Sequence, residues 1–350
     1  MRILQRYFLR EMTVNFLGVT GALAGILFIY QLGAVLKRAA ENQYPRDLVM
    51  RLFVLGAAEN FSLLLPLGLL LGLVLALGRL YHESEMTAAQ ACGYGRAQAW
   101  VPVMILALPI AALSAWLNLD FAPHAAQQRV TLMAAALRSG LALPIMPGRF
   151  RSFDDGRTVV YARGVDRAGV LQRVFIKQGT ADAVVVTVAQ RAKRELEADG
   201  LTQSIVLLDG ERTEGTPGTR RYRILRFAQL RVPLAMPEPV VQGPHIDERE
   251  TASLLGSTAT RDRAELQWRL GFPVMVLIAA GCAMAIGRLR PRQGRYERVW
   301  PAVVVFAIYG NLAIAARTWF EHGVTPAAIG IWWVHLPIII MCLVLARRYA

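Results

Sequence analysis

Cysteine is scarce in this chain: three in 350 residues. Cys92, Cys282 and Cys342 lie in or beside long apolar runs, and the polar stretch 121–268 has none. That stretch is therefore not stapled by disulfides, and it is long enough to bury a core without them. The chain has no Gly-x-x-x-x-Gly-Lys-Ser/Thr loop, which excludes nucleotide hydrolysis by that route. It has no His-Glu-x-x-His and no Cys-x-x-Cys pair to hold a metal. Its five histidines, His82, His124, His245, His322 and His335, are scattered without ligand spacing. No catalytic pair, cofactor site or metal site is legible, so nothing argues for an enzyme. Acidic residues are also sparse, 25 against 39 Lys and Arg, for a net charge of +14. The surplus carries no nucleic-acid motif. Much of it is arginine placed where an inner membrane face would meet anionic headgroups.

What the chain has in abundance is apolar surface: 55% of its residues are hydrophobic. Runs at 14–36, 52–80, 100–119, 270–287, 300–319 and 329–346 approach the roughly 20 residues that cross a bilayer. Arg2, Arg6 and Arg10 precede the first run as in a signal peptide, but the run is too long for one and reads as a retained helix. The pattern predicts three spans, one polar domain and three more spans. With both termini inside, the inner segments collect Arg79, Arg96, Arg347, Arg348 and the block Arg288-Leu-Arg-Pro-Arg-Gln-Gly-Arg295. The outer short segments keep only Lys37, Arg38, Arg46, Arg51 and Arg317. The positive-inside bias therefore predicts a cytoplasmic loop at 78–95 and a polar domain on the far side.

The far-side domain alternates apolar and polar residues at 158–163, 170–177, 183–189, 203–208 and 222–231, the period of strands. Asp155-Gly156, Asp199-Gly200 and Asp209-Gly210 read as hairpin turns, and a face switch between Ile224 and Leu225 reads as a bulge. This predicts an all-β sandwich or jelly roll. The run 183–189 is apolar on both faces, which fits either a strand buried in the core or one facing a greasy groove open to an acyl chain. Residues 125–139 read as helix, and Pro233, Pro237, Pro239 and Pro244 as a stiff return linker.

Charged residues near the membrane are the other candidates. Glu59 lies inside the second run, facing either the bundle interior or the outer interface. Arg317 stands about 25 Å along its helix from Trp300, near the level of Lys37 and Arg38. The three could bind anionic headgroups or act as snorkelling anchors. In the loop, Ser84 reads as an N-cap, Glu85 lies in the first turn, and Gly93 reads as the C-terminal stop. Met86, Ala89 and Gly93 share a small face that a partner's groove could receive, with packing on lipid as the alternative.

The segment Leu77-Gly-Arg-Leu-Tyr-His-Glu-Ser-Glu-Met-Thr-Ala-Ala-Gln-Ala-Cys-Gly93 resembles the lipopolysaccharide-export permeases of the LptF/LptG type, the LptF branch in particular. So do Arg263-Ala-Glu-Leu-Gln-Trp-Arg269 and Pro291-Arg-Gln-Gly-Arg295, in the same order and over essentially the whole chain. The resemblance implies an α-helical inner-membrane protein with six transmembrane helices and a periplasmic β-jellyroll inserted between helices 3 and 4. The expected domains are residues 1–120, 121–268 and 269–350. It also implies a non-catalytic permease subunit of an ABC transporter that extracts lipopolysaccharide from the outer leaflet, with no cofactor. The implied partners are an LptG-like permease, an LptB-like ATPase dimer, an LptC-like anchored protein and an LptA-like bridge.

On this resemblance the ATPase-coupling residues are Glu83, Glu85, Met86, Ala89 and Gly93, and Arg317 falls where the family carries a cation facing lipid phosphates. Lys37 and Arg38 join it by depth alone, and Val185 marks the β-domain path. Two rival readings stand: a scaffold whose β domain binds a protein by strand addition, and a permease for another lipid. Co-purification of a separate ATPase distinguishes a transporter from a scaffold.

Overall fold

The computed structural model describes residues 2–40, 48–138, 148–153, 157–166, 170–179, 184–196, 203–216, 222–233, 246–287, 294 and 296–348. The chain forms two compact units. The helical unit comprises Met1–Ala34, Met50–Val130 and Pro244–Ala350, and the β unit Val35–Val49 and Thr131–Gly243.

In hydrocarbon every backbone N–H and C=O must find a partner within the chain, so the apolar runs fold as helices. They are α1 (Arg2–Ala40), α2 (Val49–His82), α4 (Arg96–Trp116), α7 (Thr260–Ile286), α8 (Val299–Glu321) and α9 (His335–Arg348). Between α2 and α4 sits the short α3 (Glu85–Ala91). Among the described residues, five helices are long and apolar enough to cross a membrane, and a further apolar segment, Trp332–Leu345, is shorter. It opens with a 3-10 turn at Trp332–Val334 before α9 begins. The third run does not stop at residue 119. A π-helical segment, Leu117–Phe121, joins α4 to α5 (Ala122–Arg138) in one continuous rod. Polar residues beyond the apolar run hid that continuation.

Burial divides the spans. In the apolar windows of α2 and α7, 72% and 67% of residues are buried, against 11% in α1 and 22% in α8. The first pair is the core of the unit, and α7 packs on α4, α8 and α9. Helix α1 meets α2 where two glycines remove side chains: a Cβ at Gly72 would stand 2.6 Å from the Phe16 Cα, and one at Gly68 would collide with the Thr20 hydroxyl. Small residues four apart let two backbones approach closely in lipid. The sulfurs of Cys282 and Cys342 are bonded, joining α7 to α9 with their Cα atoms 5.3 Å apart; nothing in their spacing announced the pair.

The β unit is one antiparallel meander of six strands in sequence order. They are β1 (Phe150–Phe153), β2 (Thr158–Val165), β3 (Leu171–Gly179), β4 (Val184–Leu196), β5 (Gln203–Gly215) and β6 (Tyr222–Pro233). Asp209-Gly210 is not a hairpin turn. It lies inside the 13-residue β5, at a crease. Arg163, Arg173, Gln190, Asp209 and Ala228 fall in one row across β2 to β6, and the register skips every cross-strand pair along that row. Arg173 (φ 49) and Asp209 (φ 53) take the left-handed conformation there, which Asp tolerates better than most residues.

Burial changes parity across the crease. On β3 the buried residues are Val174 and Ile176 on one side and Leu171 on the other, yet all three join one core with Ala189, Ala192, Leu207 and Val232. The face switch expected at 224–225 therefore sits instead near Ala228, after Phe227 and before Leu230. Asp155-Gly156, Asp199-Gly200, most of the proline linker and all of the arginine block 288–295 but Gly294 lie outside the described residues.

Candidate functional site

Helix α3 begins two residues after α2 ends, too short a connection for an ordinary N-cap. Ser84 turns the chain in the left-handed conformation, φ 60, and its side chain makes no capping bond; the capping role expected of it is absent. Its N–H instead donates to the Tyr81 carbonyl at 3.1 Å. Gly93, at φ 88, does end the segment, its N–H donating to the Gln90 carbonyl at 3.0 Å.

The face of α3 differs from the one read in the sequence. Met86 and Ala89 are buried in the chain's own core beside Phe8, Leu80 and Tyr94, because the short helix lies back on the bundle. Phe8 of α1 meets Tyr94 edge to face at 5.5 Å. Burial pushes the Tyr94 phenol above its ordinary pKa, and its O–H donates to the Gln98 carbonyl at 2.9 Å. The outward face is Thr87, Ala88, Gln90 and Ala91.

The two carboxylates are oriented from outside α3. Tyr7 of α1 donates to Glu85 Oε1 at 3.1 Å. Arg79 bridges Glu83 at 3.0 Å and Glu11 at 2.6 Å. The short helix thus has one side buried in the core, an outward side of threonine, glutamine and two alanines, and beside it two acids held by α1 and α2.

A second polar cluster sits near the start of α7, about 27 Å along that helix from its C-terminal end, where Gly287 meets Leu77 of α2. Arg269 is 3% exposed. It donates from Nε to Glu265 at 2.8 Å, and from Nη1 to the Arg249 carbonyl at 2.9 Å and the Thr251 hydroxyl at 2.8 Å. Its Nη2 donates to the carbonyls of Ile246 (3.3 Å) and Asp247 (3.2 Å). Arg317 does not stand free. It pairs with Glu265 at 2.8 Å, Glu321 at 2.9 Å and Asp247 at 3.4 Å, and lies over the Trp268 ring at 5.2 Å. Arg249 completes the group with both oxygens of Asp262 at 2.6 Å.

The segment 263–269 is thus spent on the chain's own structure. Arg263 reaches the Ala327 carbonyl at 3.4 Å and Gln267 accepts the Ile331 N–H at 2.9 Å. This cluster escaped the sequence reading, although Glu265 and Arg269 are spaced i,i+4 on a helix, as are Arg317 and Glu321.

Lys37 is exposed near the end of α1; the side chains of Arg38 and Glu59 lie outside the described residues. In the β unit an open groove of about 1100 Å³ runs beside the crease. Tyr161, Phe175, Val186 and Val188 supply its apolar wall, and Arg173, Arg191 and Arg226 stand with Asp209 and Glu211 along it. Val188 is 49% exposed. Val185 is absent from the lining because neighbours along a strand face opposite ways; the strand's open side is that of Val186 and Val188.

A family profile described as "Lipopolysaccharide export system permease LptF/LptG" matches residues 6–348. The chain belongs to this permease family. The LptF permease of Escherichia coli K12 is 29% identical over 348 residues, which cover 98% of this chain and 94% of that protein. LptF of Shigella flexneri gives the same figures. LptG of Escherichia coli K12 is 30% identical over 145 residues, 41% of this chain and 39% of that protein. A member of the LptF/LptG family with five long apolar helices and a sixth shorter one is a multi-pass membrane protein, and its family role is that of a permease in lipopolysaccharide export.

Proposed function

We propose that this chain is the LptF-type subunit of an ABC transporter. It pairs with an LptG-like permease over an LptB-like ATPase dimer and extracts lipopolysaccharide from the outer leaflet of the inner membrane. Its termini and α3 are cytoplasmic, and its β unit is periplasmic. The observation that carries the reading is α3: a chain without a phosphate-binding loop holds a polar, outward face rigidly on its bundle through Met86 and Ala89. Glu85, and beside it Glu83, are the contacts to the ATPase. Met86, Ala89 and Gly93 set the position of that face and its end.

Only a difference in affinity between two states can do work on a partner, so a rigid handle passes ATPase closure to α2 and α4. Lys37, Arg38 and Arg317 meet lipid phosphates at the outer leaflet. The apolar wall at Val186 and Val188 takes acyl chains, and the exposed edge of β6 offers a strand for an LptC-like partner and the LptA-like bridge. Purification of the chain in detergent is the test. Co-purification of a second permease and an ATPase whose turnover the assembly stimulates supports the reading. A lone chain that binds only a soluble periplasmic protein contradicts it.

A further inference from the structure

Helix α1 touches the bundle unevenly along its length. Phe8, Met12, Phe16, Thr20 and Ala24, four apart, are buried, and residues at that spacing share one face of a helix. From Gly25 to Ala34 no residue is buried, and Ile26, Ile29 and Tyr30 are exposed. In that part the Phe28 ring meets Phe53 of α2 edge to face at 6.2 Å. The N-terminal end carries polar ties as well. Tyr7 donates to Glu85 Oε1 at 3.1 Å. Glu11, whose Oε1 also accepts from Asn15 at 3.0 Å, receives Arg79 at 2.6 Å, and the same guanidinium pairs with Glu83 at 3.0 Å. One tie through a phenol and one through a guanidinium thus join α1 to both sides of the turn at Ser84. Apart from Tyr7, Glu85 has no partner among the described residues, so its Oε2 is open.

We propose that Tyr7, Glu11 and Arg79 are positioning residues that carry movement of α3 into α1. A carboxylate accepts on both oxygens, so Glu85 holds Tyr7 on Oε1 and offers Oε2 to a cation of the ATPase. The ATPase then grips α1 and α3 through one side chain, while Arg79 keeps Glu83 and Glu11 together. Tyr30 lies about 33 Å along α1 from Phe8, beyond the buried stripe, so a tilt at the N-terminal end displaces the exposed part of the helix. The work received at α3 reaches a third helix besides α2 and α4. The inference rests on the export reading above, in which Glu85 contacts the ATPase.

The test uses the complete transporter with its ATPase in proteoliposomes, with Cys92→Ser removing the exposed thiol. Spin labels on Tyr30→Cys in α1 and Val324→Cys after α8, both at exposed positions, record the nucleotide-dependent change in distance between them. Tyr7→Phe keeps the ring and removes the donor. It reduces the distance change and cuts lipopolysaccharide released per ATP on the order of fivefold, the scale of one hydrogen bond to a charged group, while ATPase association changes by less than about twofold. Glu11→Gln, which does not touch Glu85, does the same more weakly and decides the matter if Tyr7→Phe does not assemble. A wild-type distance change in both variants overturns the link to α1. So does a fall of release matched by an equal fall of ATPase association, since Tyr7 would then serve only to aim Glu85 at its partner. If the wild-type chain recruits no ATPase, the export reading fails and the link falls with it; normal recruitment with unaltered α1 movement in the variants sinks the link alone.

Discussion

The two polar clusters of the helical unit use the same residue types to opposite ends. At α3, Glu85 accepts from the Tyr7 phenol and Glu83 pairs with Arg79, and both stay open to solvent in part. Near the start of α7, Glu265 and Arg269 are 4% and 3% exposed and every strong donor of Arg269 has a partner in the chain. A carboxylate held lightly at a surface can be handed to another protein; a buried one that loses its partner becomes a charge stranded in low dielectric. The first cluster leaves its carboxylates partly open to solvent, and the second turns its charges on the chain itself.

Substitutions separate the two. Arg269→Leu should have the largest effect on stability, about 3–5 kcal/mol, because it leaves four backbone or hydroxyl acceptors without their donor and the buried Glu265 with Arg317 alone; thermal unfolding of the purified complex measures it. Met86→Ala should follow at about 2–3 kcal/mol, the cost of a cavity in a packed core. Its companion Thr87→Ala, on the outward face, should change unfolding by no more than about 0.5 kcal/mol. If the two cost the same, α3 does not lie on the bundle as described. Ser84→Gly should raise stability by about 0.5 kcal/mol, since glycine takes the left-handed conformation without a Cβ clash. Glu83→Gln should cost about 0–1 kcal/mol, as for other exposed ion pairs.

The same contrast explains what could be read beforehand. Spans and strands announce themselves by period, and α3 by its polar composition between apolar runs, so the architecture and the handle were legible. Two features of α3 were not. Which side of a seven-residue helix faces inward depends on Phe8, distant in sequence, and on Tyr94 just past the helix end, and the left-handed turn at Ser84 depends on how soon α3 follows α2. In the β unit, Asp209-Gly210 carries the chemistry of a turn, and the chain uses it to bend a strand. Only alignment of Arg163, Arg173, Gln190, Asp209 and Ala228 across five strands reveals the crease. The polar cluster near the start of α7 was hidden for a related reason. Arg317 looked like a free cation because its partners Asp247 and Glu265 lie 70 and 52 positions away. The bond between Cys282 and Cys342 likewise links residues 60 apart.

The central claim is that a partly exposed acid on α3 couples this permease to its ATPase, and Glu85→Ala tests it most directly. The measurement is ATP-dependent lipopolysaccharide release from proteoliposomes holding the complete transporter, alongside ATPase co-purification and circular dichroism of the same preparation. The account predicts that release falls on the order of tenfold or more, a loss of about 1.4 kcal/mol or greater in coupling, that ATPase association weakens, and that strand content is unchanged. Normal release together with normal ATPase association in that variant would contradict it.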